Sequence, residues 1–445
     1  MQIAFVTLFL GLTLGAYPVE LAVEGPVASV ELMLDGAVAG RIEGPPWTGR
    51  IDFGTALAPH ELVARALDAN GQEVARARQW VNLPRPAAEV GIVLEGGGSG
   101  TPAVARLTWQ SRTGAQPTSV QLTLDDQPLA LGPDGRAALP PYDPENPHVL
   151  SAELRFPSNV VARKDVVFGG KYGTEVSTEL TAVPVRVRRG KLTRAEPLQG
   201  QLLAGGKPLV VAALDTGPAE VLVVRDLGAN ETLKELGDVA PRRTQQGHGM
   251  ERTFTIERDH LRYEIGLRKD DEVRFVWPVP RSFSGPGLPA ELFDQSRAFT
   301  LQDGGVHWLL TRILPAAEGK GKQRLADTVA VAGVQAMAGG RPRAVVLVLG
   351  ANPEEASRYD PATVRQYLAS IRVPLFVWAV EKEAAESPAL AAWGKVEDVS
   401  TLKRLRSAVA RLRDELESQR IVWVEGTHLP QSISLAGSGA GIELP

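Results

Sequence analysis

Cysteine is absent from the 445 residues of this chain. That absence excludes disulfide bonds, thiol catalysis and every zinc site built on cysteine. An excess of one charge is missing as well, because 48 basic and 52 acidic side chains leave a net charge of −4. A chain so balanced has no broad positive field for nucleic acid or for an anionic membrane, and we predict neither as a partner.

Long apolar runs are also scarce. Only residues 1–16 are apolar over the length of a signal peptide, and the run ends in small residues. No lysine or arginine precedes it, so the alternatives are a buried first strand or a misplaced start codon. We predict a signal peptide over 1–16, no other membrane-spanning segment, and a protein that is secreted or held in the periplasm or cell envelope.

The chain is too long for one ordinary core, and it contains an internal repeat. Ser29–Gly36 alternates apolar and polar residues and ends in an acidic turn, and Ser119–Asp126 shares both features. Such alternation is typical of a half-buried strand that leads into a hairpin. A second pair of matching segments begins at Pro59 and Pro147. We therefore predict two diverged β-sandwich units, over 17–85 and 86–175.

Two histidines occupy equivalent positions in these units, namely His60 and His148. Histidines in such a pair could be metal ligands or pH switches. The alternative is a structural residue at the start of a strand, whose ring packs and hydrogen-bonds locally. No second histidine or carboxylate lies at metal-ligand spacing in the sequence, which favours the structural interpretation.

The first unit resembles the immunoglobulin-like modules of bacterial proteins. Trp47 and the segment His60–Gly71, which follows the pattern H-x-L-x-A-x-A-x-D-x-x-G, carry the resemblance. The second copy matches less well because Asp126 stands where the first copy has Gly36. The resemblance implies two immunoglobulin-like sandwiches, a fold that serves mainly in binding and assembly.

From about residue 176 the pattern changes to apolar strands alternating with helices. The predicted helices cover Gln323–Met337, a segment capped by Asp360 and Pro361, and a segment capped by Ser400. The predicted strands are Val221–Val224, Val273–Trp277, Ala344–Leu349, Pro374–Val380 and Ile421–Val424. Strands that are apolar throughout and separated by crossover helices predict a mostly parallel sheet covered on both faces.

This half resembles the von Willebrand factor A-related proteins of bacteria. The matching segments occur in the family's order, and they are Leu180–Val187, Gly206–Pro208, Lys269–Val273, Gly321–Val329, Arg343–Leu347 and Leu412–Arg420. The resemblance implies an α/β doubly wound, Rossmann-like domain over 216–430. We predict a β-rich segment over 176–215 before it and a flexible tail over 431–445 after it.

The resemblance also implies a Mg²⁺ site held by Asp-x-Ser-x-Ser, a later threonine and an aspartate after the next strand. Asp226 is kept, but Gly228 and Asn230 replace the two serines. Gln323 stands at the threonine position and Gly350 at that of the second aspartate. Mg²⁺ dehydrates reluctantly and is poorly held by one carboxylate, so we predict that the site is lost and that the chain has no cofactor.

The same positions suggest a binding face. Asp226 is either a remnant contact residue or an exposed strand-end residue that caps the next helix. With it we assign Gly228, Asn230, Gln323 and Asn352 to the face. No residue is assigned a catalytic role, because the sequence offers no acid–base pair for a hydrolase.

These features predict a non-enzymatic protein that binds a protein partner outside the cytoplasm. Its role would be adhesion or assembly, through a degenerate metal-ion-dependent adhesion site. The alternative is a structural envelope scaffold or spacer in which the A-type domain has no ligand of its own. Both predictions rest on fold-level resemblance, which does not by itself supply a mechanism.

Overall fold

The computed structural model describes most of the chain. The residues that it does not describe are 1, 8, 10, 85–87, 97–101, 112–115, 126, 145, 147, 157–159, 170–171, 178–179, 188–191, 193, 238–266, 286–287, 301–305, 307–308, 311–312, 314–321 and 438–440. The chain forms two compact units, one from 1–84, 182–424 and 428–445 and the other from 85–181 and 425–427. Within the described residues, no helix has the length and apolarity needed to cross a membrane.

Seven strands form the first sandwich. They are β1 (Gln2–Phe5), β2 (Ala16–Glu24), β3 (Ser29–Leu34), β4 (Ala37–Ile42), β5 (Thr48–Asp52), β6 (His60–Leu67) and β7 (Glu73–Val81). The strand order is β1-β2-β5 in one antiparallel sheet and β4-β3-β6-β7 in the other. Alternate residues such as Val30, Leu32 and Leu62 point inward, so the period of two in the sequence becomes a core between the sheets.

The segment predicted as a signal peptide is built into this sandwich. β1 pairs with β2 in antiparallel register. Ile3 and Phe9 are buried in the core between the sheets. The side chain of Asn82 accepts a hydrogen bond from the Thr13 N–H at 2.7 Å and donates one to the Thr13 carbonyl at 2.9 Å. Apolar side chains of this segment thus fill the sandwich, as the alternative of a buried first strand requires, and the signal peptide over 1–16 stays a prediction.

The described part of the second sandwich has eight strands. They are β8 (Ala88–Gly96), β9 (Pro102–Ser111), β10 (Ser119–Leu124), β11 (Gln127–Pro128), β12 (Arg136–Ala138), β13 (His148–Phe156), β14 (Val160–Gly169) and β15 (Tyr172–Ser177). Its sheets have the orders β12-β9-β8 and β11-β10-β13-β14-β15. β10 pairs with β13 as β3 pairs with β6, and both pairs are antiparallel, so the internal repeat in the sequence is confirmed at the level of strands.

The two histidines contact equivalent aspartates in the two sandwiches. Asp35 and Asp125 both follow the repeated strand with positive φ, at 50° and 48°. The carboxylate of Asp35 lies 2.8 Å from His60 Nδ1, and that of Asp125 lies 2.6 Å from His148 Nδ1. Each carboxylate also accepts the N–H of the residue after the histidine. Each ring therefore links the turn after the repeated strand to the start of the strand that the histidine begins. This is the structural role that the sequence favoured.

Replacing His148 with glutamine should destabilise the chain more at about pH 5.5 than at about pH 8.5. The hydrogen bond to Asp125 raises the pKa of His148 above 6.5. The stability gained from this pair is complete below the unfolded pKa and is lost as the pH rises through the raised pKa. The Asp125 side chain is 46% exposed, so we expect a difference of about 0.5 kcal/mol, measured by denaturant unfolding.

The matched control for this prediction is Asp125→Asn, which removes the charge but keeps the size of the side chain. It should show the same loss of stability at the lower pH. Equal destabilisation by His148→Gln at both pH values would show that the ring contributes through packing alone.

Four strands follow the second sandwich, namely β16 (Leu180–Val187), β17 (Leu202–Ala204), β18 (Lys207–Pro208) and β19 (Val211–Asp215). The chain then enters a five-stranded parallel sheet. Its strands are β20 (Glu220–Arg225), β21 (Glu272–Val276), β24 (Arg343–Leu349), β25 (Leu375–Ala379) and β26 (Val396–Asp398), in the order β21-β20-β24-β25-β26. An antiparallel hairpin of β22 (Arg281–Gly285) and β23 (Leu288–Leu292) follows β21. Two antiparallel bridges, from Val273 to Phe299 and from Val276 to Gln295, extend the β21 edge.

Among the described residues, five helices accompany this sheet. They are α1 (Asn230–Gly237), α2 (Leu325–Ala338), α3 (Pro361–Ser370), α4 (Lys382–Ala385) and α5 (Leu402–Ser418). In β20, Val221 and Val223 pack with α1 and α5, whereas Leu222 and Val224 pack with α2 and α3. The central strands are apolar between their terminal residues because both of their faces are covered, as predicted.

The caps of the helices agree only in part with the sequence analysis. The predicted cap at Asp360 is confirmed, since its carboxylate accepts the Thr363 N–H at 2.9 Å and Pro361 is the first residue of α3. The predicted cap of α5 at Ser400 is wrong. Thr401 takes that role and accepts the Arg404 N–H, whereas the Ser400 N–H donates to Asp398, the last residue of β26.

The C-terminal residues complete a separate pair of small sheets. β27 (Gln419–Glu425), β28 (Ile433–Leu435) and β29 (Ile442–Glu443) join the earlier strands in the orders β19-β27-β16-β29 and β18-β17-β28. The strand predicted at 421–424 to close the parallel sheet therefore belongs to another sheet. The predicted flexible tail over 431–445 is also corrected, because Ile433 and Ile442 are buried in the core of this layer.

The first sandwich packs against helix α3. Leu57 of the sandwich lies in the same apolar cluster as Val364 and Leu368. The phenol of Tyr367 donates to the carbonyl of Asn82 at 2.6 Å, and burial raises the pKa of this phenol. Because the phenol stays protonated, it satisfies a carbonyl that would otherwise be buried without a partner.

Candidate functional site

The candidate site lies at the carboxyl edge of the parallel sheet. From β20 the chain passes to β21 on one side, and it later returns to β24 on the other side. The connections leaving β20 and β24 therefore run in opposite directions and leave a crevice between them, which is where open parallel sheets bind ligands. Asp226 follows β20 directly, and Gly350 follows β24 directly. Sequence and topology together bring these two residues to one point.

The carboxylate of Asp226 is turned inward, and the residue is only 1% exposed. One oxygen, Oδ1, accepts the Gly228 N–H at 3.0 Å, so Asp226 caps the 3₁₀ turn over Leu227–Ala229. The other oxygen, Oδ2, accepts the Gly350 N–H at 3.0 Å. These contacts favour the interpretation of Asp226 as a capping residue, but the predicted exposure of that residue is wrong, because its carboxylate is enclosed by the turn and the end of β24.

Gln323 closes the same network from the other side. Its side-chain Nε2 donates to Asp226 Oδ1 at 2.9 Å, and its Oε1 accepts the Leu227 N–H at 2.9 Å. The residue is 7% exposed and lies two positions before α2. The amide thus joins the turn after β20 to the start of α2 and leaves neither of its polar atoms free.

Glycine is favoured at Gly350 by the close approach of two backbone segments. A Cβ atom there would lie 3.0 Å from the carbonyl carbon of Gly228 and 3.1 Å from both Ala229 N and Asp226 Oδ2. At Gly228 an added Cβ would meet Asp226 Oδ2 at 3.2 Å. The absence of side chains at these two positions allows the turn to pack directly against the end of β24.

The two asparagines assigned to the face have different positions. Asn230 begins α1, and its Oδ1 is shielded from solvent without a hydrogen-bond partner among the described residues. Asn352 is exposed, two residues after Gly350. Leu227, which the sequence analysis did not assign to the face, is 37% exposed at the tip of the 3₁₀ turn. The accessible rim of the site therefore includes Leu227 and Asn352, while Asp226 and Gln323 lie beneath it.

The loop after β24 is tied to the start of α2 by side chains that the sequence analysis did not identify. Glu355 accepts the Ala326 N–H at 3.0 Å and so satisfies one free donor of the helix. Asp327 accepts the N–H groups of Arg358 and Tyr359 at 3.0 and 3.1 Å. In the sequence, Glu355-x-Ser357 looks like any polar loop. No sequence signal therefore indicates that these residues make contacts rather than being exposed to solvent.

Arg225, the last residue of β20, is a buried charge next to the site in sequence. It is 1% exposed and donates to the carbonyls of Leu310 and Ile313. Its guanidinium lies 5.3 Å from the ring centre of Trp277, and burial lowers its pKa to about 10. The charge is still retained at neutral pH, and it anchors the carbonyls of Leu310 and Ile313 to the sheet. The sequence signal that could have indicated this buried charge is an arginine at the end of an otherwise apolar strand.

The residues of the site do not fit a Mg²⁺ ion. Asp226 is the only carboxylate among the aligned ligand positions, and both of its oxygens already accept hydrogen bonds. The neutral amide oxygen of Asn230 would add one weak metal ligand, whereas Mg²⁺ demands an octahedral set of oxygen ligands. Within the described part of the chain, no three histidine, cysteine, aspartate or glutamate side chains are grouped as metal ligands.

No protein-family model and no curated protein matches this sequence. Among solved structures, it is similar to the fibronectin(III)-like modules of CbhA from Clostridium thermocellum, with 14% identity over 38% of this chain and 94% of that chain and a TM-score of 0.16. It is similar to the central fibronectin-III array of RIM-binding protein, with 10% identity over 43% and 80% of the two chains and a TM-score of 0.24. For the human COPII-coat protein Sec24c the identity is 11%, over 51% and 40%, with a TM-score of 0.22. These scores are too low to support an argument about function.

Proposed function

We propose that this chain is a non-enzymatic protein-binding module, in which two immunoglobulin-like sandwiches accompany a von Willebrand factor A-related domain. The partner would contact the carboxyl edge of the parallel sheet. The observation that carries the proposal is the accessible rim above a closed polar network, formed where the strand order reverses at β20 and β24. The A-related assignment is supported by that strand order and by the antiparallel bridges beside β21.

The rim suits recognition rather than catalysis. Leu227 offers an apolar contact and Asn352 a polar one, while the groups beneath them are held in fixed hydrogen bonds. Asp226 is poorly placed to act as a general base, because it is 1% exposed and points away from the rim. A rigid support with exposed apolar and polar contacts is the arrangement that interfaces use.

A structural scaffold is the second candidate. It is favoured by the inward orientation of Asp226 and Gln323, since residues whose only role is packing would be arranged in this way. In that case a partner would bind the sandwiches, whose surface includes Val38, which is 62% exposed on β4. The location outside the cytoplasm stays part of the proposal, and fractionation of the source cells would test it.

Surface substitutions separate the two candidates. A partner would first be identified by cross-linking to the full chain. Leu227→Lys together with Asn352→Arg should then weaken its binding at least tenfold, because contacts near the centre of an interface dominate its energy. Asp270→Lys, an exposed position before β21 at the opposite edge of the sheet, is the control and should leave the affinity unchanged. Loss of binding on Val38→Lys, with none on the rim substitutions, would support the scaffold instead.

A further inference from the structure

The buried charge of Asp226 requires compensation from its surroundings. A carboxylate removed from water is costly unless hydrogen bonds or an opposite charge replace its hydration. Two of its bonds come from the backbone N–H groups of Gly228 and Gly350, each at 3.0 Å. The third comes from the side-chain amide of Gln323 at 2.9 Å. No lysine or arginine appears among these partners.

The orientation of the Gln323 amide is determined by its neighbours. Its NH₂ group faces an oxygen that can only accept, and its carbonyl faces the Leu227 N–H, which can only donate. The reverse orientation would place an oxygen against a carboxylate and a donor against a donor, so only one orientation satisfies both contacts. The amide therefore acts as a two-sided connector between the turn after β20 and the residues before α2.

We infer that the Gln323 side chain takes the structural place of a divalent cation at this edge of the sheet. A cation held between Asp226 and the start of α2 would attract the carboxylate and link the two segments. The amide does both through hydrogen bonds, with its donor on the carboxylate and its acceptor on the turn. The close Cβ contacts at Gly350 disfavour a second carboxylate at the end of β24. This inference concerns the site alone and does not depend on the proposed binding of a protein.

The substitution Gln323→Glu tests the inference, since it keeps the shape and replaces the donor by a second carboxylate. In the full chain, this variant should melt several degrees below the wild type when divalent ions are absent. Added Mn²⁺ should raise its melting temperature saturably, because the ion binds the folded form between the paired carboxylates. The wild type should show no such rise with millimolar Mn²⁺.

Gln366→Glu is the matched control, because residue 366 is exposed on α3 and gains the same charge away from the site. It should behave as the wild type with and without Mn²⁺. A saturable rise in the wild type that Asp226→Asn removes would overturn the inference. So would a Gln323→Glu variant as stable as the wild type without ions.

A second measurement decides the matter if Gln323→Glu does not fold. Mn²⁺ binding to the full wild-type chain can be followed by electron paramagnetic resonance of the free ion, with Asp226→Asn as the comparison. Equal free Mn²⁺ in both titrations is the expected result, because the wild-type carboxylate is already satisfied by the amide. Tighter binding by the wild type would show that a cation displaces Gln323, and the inference would fail.

Discussion

Removal of residues 2–15 should prevent the chain from folding cooperatively. The deletion removes β1 together with Ile3 and Phe9, which are buried in the first sandwich. Truncation of a large buried apolar side chain costs about 2–5 kcal/mol. Losing both side chains would therefore remove much of the free energy of unfolding, which is roughly 5–15 kcal/mol for a typical domain. It also deprives the side chain of Asn82 of its bonds to Thr13. Thermal unfolding of the purified variant, followed by circular dichroism, measures the effect.

The controls for this deletion are single substitutions within the same segment. Phe9→Ala should destabilise by about 3 kcal/mol or more. Val6→Ser should change the stability by less than about 0.5 kcal/mol, because Val6 is 53% exposed. Sequencing the N-terminus of the protein from its source cells adds an independent result. A stable, cooperatively folded protein that begins near residue 17 would instead support a cleaved signal peptide.

Substitution of Gly350 by aspartate should be the most damaging single change at the candidate site. It introduces the residue type that the A-related resemblance implies at this position, but its Cβ would lie 3.0 Å from Gly228 C and 3.1 Å from the Asp226 carboxylate. The new charge would also be buried against an existing one. An uncompensated buried charge costs about 3–5 kcal/mol, and we expect a loss of this size in denaturant unfolding.

Two comparisons separate the steric and electrostatic parts of that loss. Gly350→Ala adds only the Cβ atom and should cost about 1–3 kcal/mol, as expected for overpacking. Ala351→Asp places the same charge on the exposed neighbouring residue and should have an effect within about 0.5 kcal/mol. If Gly350→Asp were as stable as the wild type, the turn at 227–229 would have to move away from β24, contrary to the packing seen here.

Local signals in the sequence were sufficient for several parts of the fold. The repeat at Ser29 and Ser119 identifies two strands with the same pairing, because the period of two records which side chains face the core. The apolar runs in β20 and β24 identify a sheet covered on both faces. The cap at Asp360 and Pro361 was also predictable from the sequence, since its hydrogen bond joins residues only three positions apart.

The candidate site was predictable only in outline. The resemblance aligns Asp226, Gln323 and Gly350 with three ligand positions of a metal site, and of these only Asp226 carries a carboxylate. It does not show that the amide of Gln323 bonds to the carboxylate, 97 positions earlier in the chain. A glutamine in the sequence is equally compatible with an exposed or a buried position, so only the approach of the two segments distinguishes them. The accessible residue Leu227 was overlooked because the sequence does not report exposure.

What the sequence by itself determined is the set of elements whose contacts are local: the repeated hairpins, the buried parallel strands and the capped helix α3. The tertiary structure decided where ambiguous apolar segments belong. Residues 2–5 satisfy the requirements of both a signal peptide and a buried strand, and 421–424 could pair in either of two sheets. Ile433 and Ile442 lie in strands that pair with β17 and β16, more than 200 residues earlier. The physical reason is that hydrophobic burial is non-directional, so an apolar run predicts that it will be covered but not by which part of the chain.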